Sequence, residues 1–218
     1  MLSNTELLNR IQQRIKEFER LGEGTTFFDF RPFLDLKLKA TIKGELLFCI
    51  STANSSARSG LVFQSLLEPK LLGSIEVNKE ELEKLMRLAG VRFYRKKSRY
   101  AVKALKNFNV VKTALKKDSL NAREYLVKKI DGIGYKEASH FLRNVGRKDV
   151  AILDRHVVGW IYDKLYDKLS FDSLPKTLTS KKYRILEETL REIARIKGIT
   201  LAELDLLLWY EKTGKVLK

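Results

Sequence analysis

The most informative segment of the chain reads Leu126-Val-Lys-Lys-Ile-Asp-Gly-Ile-Gly-Tyr-Lys-Glu-Ala-Ser-His-Phe-Leu-Arg-Asn-Val-Gly146. Its two helical halves are joined by the turn Gly132-Ile133-Gly134. The glycines permit positive φ and a close approach of another backbone, and Ile133 fits as an apolar plug between the helices. Because the second helix begins at this turn, its free N–H groups and positive dipole end face outward together, which suits a phosphate. Such a hairpin binds the DNA backbone without reading bases, although an ordinary helix connection has the same turn.

The charge of the chain indicates a polyanionic partner. The 218 residues include 43 Lys and Arg against 27 Asp and Glu, a formal net charge of +16. Residues 92–117, the basic run, contain ten basic residues and no acidic one, whereas a solvated helix normally mixes the two signs. Aromatic residues interleave with the basic run, as on a phosphate-facing surface with rings for stacking. We therefore expect nucleic acid as the partner; the alternative is the general charge surplus of many heat-adapted proteins.

Composition excludes several other classes of protein. A hydrophobic share of 44% with 32% charged residues is globular, and the length suits one large domain or two small lobes. One cysteine, Cys49, excludes a disulfide framework, a four-thiolate zinc site and a cysteine-ligated iron–sulfur cluster within one chain, and two histidines add no metal pattern. No apolar run reaches the roughly 20 residues of a membrane span. We expect a soluble, intracellular protein without a metal site.

Helical periodicity dominates the sequence, which contains only 3 prolines and 12 glycines. The pattern predicts an all-α protein. The predicted helices cover residues 5–21, 44–52, 58–67, 79–89, 96–108, 110–117, 121–129, 136–145, 154–165, 179–197 and 201–213. Any strand is expected within residues 25–43, although Phe27–Phe33, with Pro32 inside it, reads as a connection.

A lysine and an aspartate follow the glycine turn. Lys136 lies two residues after Gly134, and Asp154 comes eighteen residues later. The apolar residues 150–153 precede Asp154, which stands at the expected N-cap of the next helix. The spacing alone therefore favours a surface lysine and a capping aspartate.

The hairpin segment, followed by Ala151-Ile-Leu-Asp-Arg-His156, resembles the helix–hairpin–helix DNA glycosylase superfamily, and within it the type 2 8-oxoguanine DNA glycosylase/AP lyases known mainly from archaea and a few bacteria. Further matches are Ser51-Thr-Ala-Asn-Ser-Ser-Ala57, Gly90-Val-Arg-Phe-Tyr-Arg-Lys96 and the tail Leu208-Trp-Tyr-Glu-Lys-Thr-Gly-Lys-Val-Leu-Lys218. The resemblance thus runs from about residue 45 to the last. In one departure, Ile-Leu precedes Asp154 where the wider superfamily usually has Gly-Pro or Pro-Val; the narrower family tolerates this.

The resemblance implies a two-lobed, all-α fold with the active-site cleft between the lobes. Residues 1–50 and 146–218 are expected to form the lobe with the termini and the base-recognition tail, and residues 51–145 the helical lobe that ends in the hairpin (121–145). Lys136 is implied as the nucleophile and Asp154 as its carboxylate partner. A neutral lysine attacks the sugar C1′ and displaces the base, and the resulting Schiff base eases β-elimination of the 3′ phosphate. Asp154 takes up a proton and stabilises the oxocarbenium-like sugar.

The resemblance also implies where the damaged base is held once it has left the duplex. Trp209 is expected beside the extruded 8-oxoguanine, and the carboxylate of Lys218 is expected to accept hydrogen bonds from its N1–H and N2–H₂ donors. Without the resemblance, a segment such as Thr213–Lys218 is more often frayed than functional.

Other residues are expected to contact DNA. The hairpin contributes Gly132, Ile133, Gly134 and Tyr135, the segment after Asp154 contributes Arg155 and His156, the minor-groove loop contributes Asn54 and Ser55, and the start of the basic run contributes Arg92, Phe93, Tyr94, Arg95 and Lys96. Phe93 or Tyr94 is the expected wedge that fills the emptied stack; the alternative is a core aromatic at a helix start. Asn54 and Ser55 are equally explained as caps of the next helix, and His140 is expected as a satisfied core residue.

Double-stranded DNA containing 8-oxoguanine is the implied partner, with no membrane association. The resemblance further implies a monomer in a prokaryotic cytoplasm, close to the nucleoid, and no required cofactor, although the backbone carbonyls of such hairpins can hold a monovalent cation. One alternative function is a glycosylase for another damaged base. The other is a non-catalytic DNA-binding module that uses the hairpin alone, and this alternative needs neither Lys136 nor the tail.

Overall fold

Eleven helices and one small β-hairpin make up the described part of the chain, residues 3–165 and 178–218 of a computed structural model. The helices are α1 (Asn4–Glu23), α2 (Ile42–Thr52), α3 (Ala57–Leu72), α4 (Lys79–Leu88), α5 (Tyr94–Lys106), α6 (Phe108–Leu115), α7 (Ser119–Lys129), α8 (Tyr135–Asn144), α9 (Arg155–Leu165), α10 (Ser180–Lys197) and α11 (Leu201–Thr213). The predicted all-α class is confirmed. Within these described residues, no helix is both long and apolar enough to cross a bilayer.

The β-hairpin lies where a strand was expected. Strands β1 (Thr25–Asp29) and β2 (Lys37–Thr41) pair antiparallel, with Thr25 opposite Thr41. The interpretation of Phe27–Phe33 as a connection is wrong for its first three residues, which belong to β1. Alternation explains the difference, because Phe28 is fully buried while its neighbour Phe27 is 69% exposed. Strand β1 therefore exposes the apolar side chain of Phe27 to solvent, so that its sequence does not show the polar and apolar alternation typical of a half-buried strand.

Helix boundaries follow local signals in most of the chain. Asn78 accepts a hydrogen bond from the N–H of Glu81 and caps α4 as predicted. Helix α3 is longer than predicted, because it continues through Pro69 to Leu72. The prediction for α3 ended before this proline, since proline usually interrupts the interior of a helix.

Two hydrophobic clusters lie under the helices, and α11 contributes to both. The larger cluster contains the buried faces of α1 to α8 and of the β-hairpin, together with Ala202 and Leu206 of α11. The smaller one packs α9 and α10 against the other face of α11, around Leu204 and Leu208, and includes Leu153. The hairpin helix α8 thus belongs to the first cluster, and Ala151 and Leu153, just before Asp154, belong to the second. The division into lobes of residues 1–50 with 146–218 and of residues 51–145 stays a prediction.

Candidate active site

The glycine turn between α7 and α8 has the geometry that the hairpin prediction requires. Gly132 has φ +81°, and a Cβ there would lie 2.3 Å from Cδ2 of Tyr100, so that both conformation and space demand glycine. Gly132 and Gly134 are exposed, whereas Ile133 is only 5% exposed and plugs the space between the helices. The turn therefore exposes the backbone of Gly132 and Gly134 to solvent, while the buried side chain of Ile133 holds it against the helices.

Lys136 lies in the first turn of α8, directly after this surface. Gly134 is the N-cap, and its N–H donates to Oε2 of Glu137, so one of the donors at this helix end is satisfied within the protein. The Lys136 side chain is 27% exposed, and its Nζ lies 3.9 Å from Oε1 of Glu137. The helix thus holds a partly exposed amine beside this exposed turn. The Tyr135 side chain is half-buried, and its hydroxyl donates to Glu124.

A second lysine lies close to the first. Burial lowers the pKa of Lys97 to about 8, and the charge of Lys136 adds to this shift. The Lys97 Nζ donates to the carbonyl of Ser51 at 2.7 Å and to Oγ of Ser55 at 3.0 Å. The same Ser55 hydroxyl accepts the N–H of Arg92 at 2.8 Å. Ser55 therefore links the loop after α2 to the start of the basic run.

The alternative in which Asn54 and Ser55 cap the next helix is wrong. The N-cap of α3 is Ser56, whose hydroxyl accepts the N–H of Ser59. Asn54 is exposed and has φ +53°, a conformation that asparagine tolerates better than most residues. The structure leaves the Asn54 side chain at the surface and uses Ser55 as a connector.

Asp154 caps α9, as the sequence predicts. Its Oδ1 accepts the N–H groups of His156 at 2.8 Å and Val157 at 2.9 Å. These bonds fix the orientation of the carboxylate and do not use Oδ2. Burial raises the pKa of Asp205 to about 6, and the negative charge of Asp154 adds to this shift. Asp154 thus combines a capping role with an ionisable oxygen that its cap bonds leave available.

The tail at residues 216–218 is buried rather than frayed. Val216, Leu217 and Lys218 are 1%, 4% and 6% exposed. The Lys218 Nζ lies 2.5 Å from both Oε2 of Glu45 and Oε1 of Gln64. The rings of Phe48 and Phe28 flank the amine, with centroids at 4.2 and 4.6 Å. We call this set (Glu45, Gln64, Phe28 and Phe48) the lysine socket.

Trp209 and the two histidines lie near the expected base site. The ring of His156 meets that of Trp209 edge-on at 5.6 Å. Among the described residues, the buried Nε1 of Trp209 and both ring nitrogens of His140 make no hydrogen bond of ordinary geometry. His140 is therefore buried as expected, with the backbone of Lys218 as its polar neighbour. Burial holds its pKa well below the usual range, and the charges of Lys136, Arg143 and Lys218 add to this, so the imidazole is neutral.

The start of the basic run presents Phe93 to solvent. Phe93 is 59% exposed and has φ +58°, so the alternative of a core aromatic is wrong for this residue. The guanidinium of Arg92 lies 5.5 Å from its ring centroid. Tyr94 is half-buried and packs on the larger cluster. The basic residues that were predicted to contact DNA are exposed: Arg92, Arg95, Lys96 and Arg155.

Sequence reasoning missed Glu45, Gln64 and Lys97 of this region, and it predicted His140 only as a core residue. Glu45 had a visible signal, because it directly precedes the apolar run Leu46–Ile50 on a helix predicted to be buried, where an ionisable residue is costly unless it is paired. His140 follows Lys136 by four residues and so shares its helix face. Gln64 and Lys97 had no local signal, because their partners are distant in sequence.

The described residues have the three features that the resemblance to the helix–hairpin–helix DNA glycosylases implies: an exposed hairpin turn, a partly exposed lysine directly after it and an aspartate at the start of α9. The comparisons with known proteins narrow this class. A family model described as 8-oxoguanine DNA glycosylase matches residues 11–199. The chain belongs to that family.

Individual relatives agree along almost the whole chain. The 8-oxoguanine DNA glycosylase/AP lyase of Aquifex aeolicus is 44% identical over 98% of this chain and 95% of its own length, and that of Methanocaldococcus jannaschii is 41% identical over 100% and 96%. The crystal structure of the M. jannaschii 8-oxoguanine glycosylase/lyase with a 15mer DNA containing 8-oxoguanine has a TM-score of 0.80 at 38% identity, covering 99% of this chain and 94% of that one. The Thermotoga maritima enzyme has a TM-score of 0.81 at 35% identity over 98% and 94%.

Proposed function

We propose that this chain excises 8-oxoguanine from double-stranded DNA and then cleaves the abasic strand, with Lys136 as the nucleophile. The observation that carries the proposal is the position of Lys136, partly exposed in the first turn of α8 behind the exposed glycine turn. A strand held by its phosphates at that turn brings a sugar within reach of the amine. The family and the named activity of its relatives support the substrate.

The chemistry at Lys136 requires a neutral amine. Its lone pair attacks C1′, the bond from C1′ to the base breaks, and the base leaves with that electron pair and takes up a proton. The sugar ring then opens to a protonated Schiff base. Its iminium withdraws electrons, so that a C2′ proton is removed and the 3′ phosphate leaves by β-elimination.

Asp154 is the proposed partner in this sequence. As positive charge develops on the sugar before C1′ is fully bonded to nitrogen, a fixed carboxylate stabilises it. The same carboxylate can accept the proton that the attacking amine releases. Its cap bonds to His156 and Val157 keep it oriented before substrate arrives.

Trp209 and Lys218 are the proposed base-binding residues. The unpartnered Nε1 of Trp209 supports a polar ligand at this place in the described structure, because buried polar atoms usually have partners. The lysine socket supports a fixed position for the main chain of Lys218. Recognition of the guanine edge by the Lys218 carboxylate stays a prediction, as do the monomeric state and cation binding at the hairpin.

Borohydride trapping tests the proposal. Wild type should give a covalent protein–DNA adduct on a duplex with one 8-oxoguanine, since borohydride reduces the Schiff base to a stable amine. Lys136→Gln should give no adduct and no strand cleavage while it still binds the damaged duplex. The matched control is Lys84→Gln, which removes an exposed lysine of α4.

The result also separates the alternatives. Cleavage retained by Lys136→Gln would remove the lysine from the mechanism. An adduct that forms equally well with another oxidised or alkylated base would favour a glycosylase for a different lesion. Binding without any adduct in the wild type would favour the non-catalytic module.

A further inference from the structure

The three residues before Asp154 are held by side chains rather than by a β-ladder. Each of their N–H groups donates to a buried side-chain oxygen. The three bonds are Ala151 N to Glu187 Oε1 (3.0 Å), Ile152 N to Asp205 Oδ1 (3.1 Å) and Leu153 N to Tyr183 Oη (3.2 Å). Buried backbone donors need partners, and here α10 and α11 supply all three.

Tyr183 holds this segment twice. Its hydroxyl accepts the N–H of Leu153 and also donates to the carbonyl of Ala151 at 2.7 Å. One buried phenol therefore fixes the segment 151–153 at both of its ends. The residue that follows directly is Asp154.

The two carboxylates also hold the hairpin helices. Glu187 receives both terminal nitrogens of Arg123 of α7, at 2.6 and 2.8 Å. Asp205 receives Nη1 of Arg143 of α8 at 2.5 Å. All four side chains are at most 4% exposed. Each carboxylate thus joins one helix of the hairpin to one peptide group of the segment 151–153.

This arrangement connects the two proposed catalytic residues through buried contacts. Lys136 and Arg143 lie on the same helix, and Tyr135, the neighbour of Lys136, places its ring 5.6 Å from that of Tyr183. Buried ion pairs contribute little net stability compared with well-packed apolar residues. Their directional bonds instead specify geometry, which a catalytic pair needs to within about 0.5 Å.

We propose that Tyr183, Glu187 and Asp205 are positioning residues that set the Asp154 carboxylate relative to the Lys136 amine. The inference rests on the catalytic roles proposed above. The three side chains act through the backbone of residues 151–153 and not on the substrate. They are the means by which α10 and α11 take part in a reaction that occurs at α8 and α9.

Tyr183→Phe is the sharpest test, because it removes only the hydroxyl and keeps the ring contact with Tyr135. The single-turnover rate of 8-oxoguanine excision should fall roughly tenfold, since sub-ångström misplacement of a reacting group is costly. The Kd for the same duplex should not change. Glu187→Gln should act in the same direction. Its matched control is Glu17→Gln, which removes an equally buried carboxylate from a pair with Arg14 on α1.

A double-mutant cycle separates positioning from general damage. If Tyr183 acts through the Asp154 carboxylate, Tyr183→Phe should have no further effect in an Asp154→Asn background. An equal loss of rate in both backgrounds, or no loss in Tyr183→Phe alone, would overturn the inference. An Asp154→Asn enzyme with the wild-type rate would instead overturn the proposed role of Asp154. Thermal unfolding of each variant verifies that the compared proteins are folded.

Discussion

The side-chain amine of Lys218 is fully buried, and its two close oxygen partners come from different helices. Glu45 belongs to α2 and Gln64 to α3. Gln64 also donates to Glu45 and to Glu68, so that one amide joins two carboxylates around the amine. Burial lowers the pKa of the Lys218 amine, and the charge of Glu45 opposes this. The Glu45 carboxylate therefore compensates the Lys218 amine in a place where an unpaired ammonium is unfavourable.

Glu45→Gln should lower the free energy of unfolding by about 3 kcal/mol, because it leaves a buried ammonium without its anion. Urea unfolding measures the change. The matched control is Glu19→Gln: the Glu19 carboxylate is also 2.5 Å from a lysine, Lys148, but that pair is exposed, so at most about 1 kcal/mol is expected.

Removing the second charge of the socket tests the cause. In a Glu45→Gln, Lys218→Met double variant, part of the lost stability should return, because the buried ammonium that lost its nearest anion is removed as well. A double variant less stable than Glu45→Gln alone would show that the amine contributes through packing and not through its charge.

The hairpin between α7 and α8 depends on the positive φ of Gly132. Gly132→Ala should reduce stability by about 1–2 kcal/mol, the usual penalty for a side chain in the left-handed region, and more if Tyr100 does not move. Affinity for undamaged duplex DNA should fall as well, because the turn presents the backbone amides. Fluorescence anisotropy and thermal unfolding measure the two effects.

Gly159→Ala is the natural control for this substitution. A Cβ at Gly159, inside α9, meets no atom within 4 Å, so alanine should stabilise the helix by up to about 1 kcal/mol. A Gly132→Ala protein that binds DNA as well as wild type would mean that the turn is only a helix connection.

Local signals made most elements predictable. The hairpin, the Asp154 cap and the strand region around residues 25–43 each follow from residues next to one another in sequence. The bonds that hold the segment 151–153 could not be predicted, because their partners are distant in sequence: Glu187 is 36 residues from Ala151, Asp205 is 53 from Ile152 and Tyr183 is 30 from Leu153. Unlike the exposed Glu188, Glu187 lies on the apolar face of α10 with Tyr183 and Leu190, but this spacing does not identify its partners. The resemblance therefore identified the proposed reacting residues Lys136 and Asp154. The residues that hold them in place could be identified only from the structure.

The buried Asp205 should make the free energy of unfolding of the whole protein depend on pH. Burial raises its pKa to about 6, Arg143 opposes this and Asp154 adds to it, whereas in an unfolded chain the pKa is about 3.9. Between these values the folded state binds more protons, so this group makes stability fall as pH rises. Relative to Asp205→Asn, wild type should lose up to about 1.4 kcal/mol per pH unit from roughly pH 4 to 6, and nothing further above pH 7. Urea unfolding across pH 4–8 measures the difference, and a constant difference would contradict the raised pKa.

The net charge of +16 and the exposed start of the basic run should make DNA binding strongly dependent on salt. Each phosphate that a basic side chain neutralises contributes about −0.9 to the slope of log affinity against log salt concentration. Arg92→Gln should therefore reduce the magnitude of this slope by about 1 and weaken binding to all sequences alike. Lys84→Gln, which removes a charge that lies among the glutamates of α4, should leave the slope unchanged. Anisotropy titrations at several salt concentrations measure these slopes. Equal slopes for wild type and Arg92→Gln would show that Arg92 does not contact DNA. The charge surplus would then be a general property of the surface.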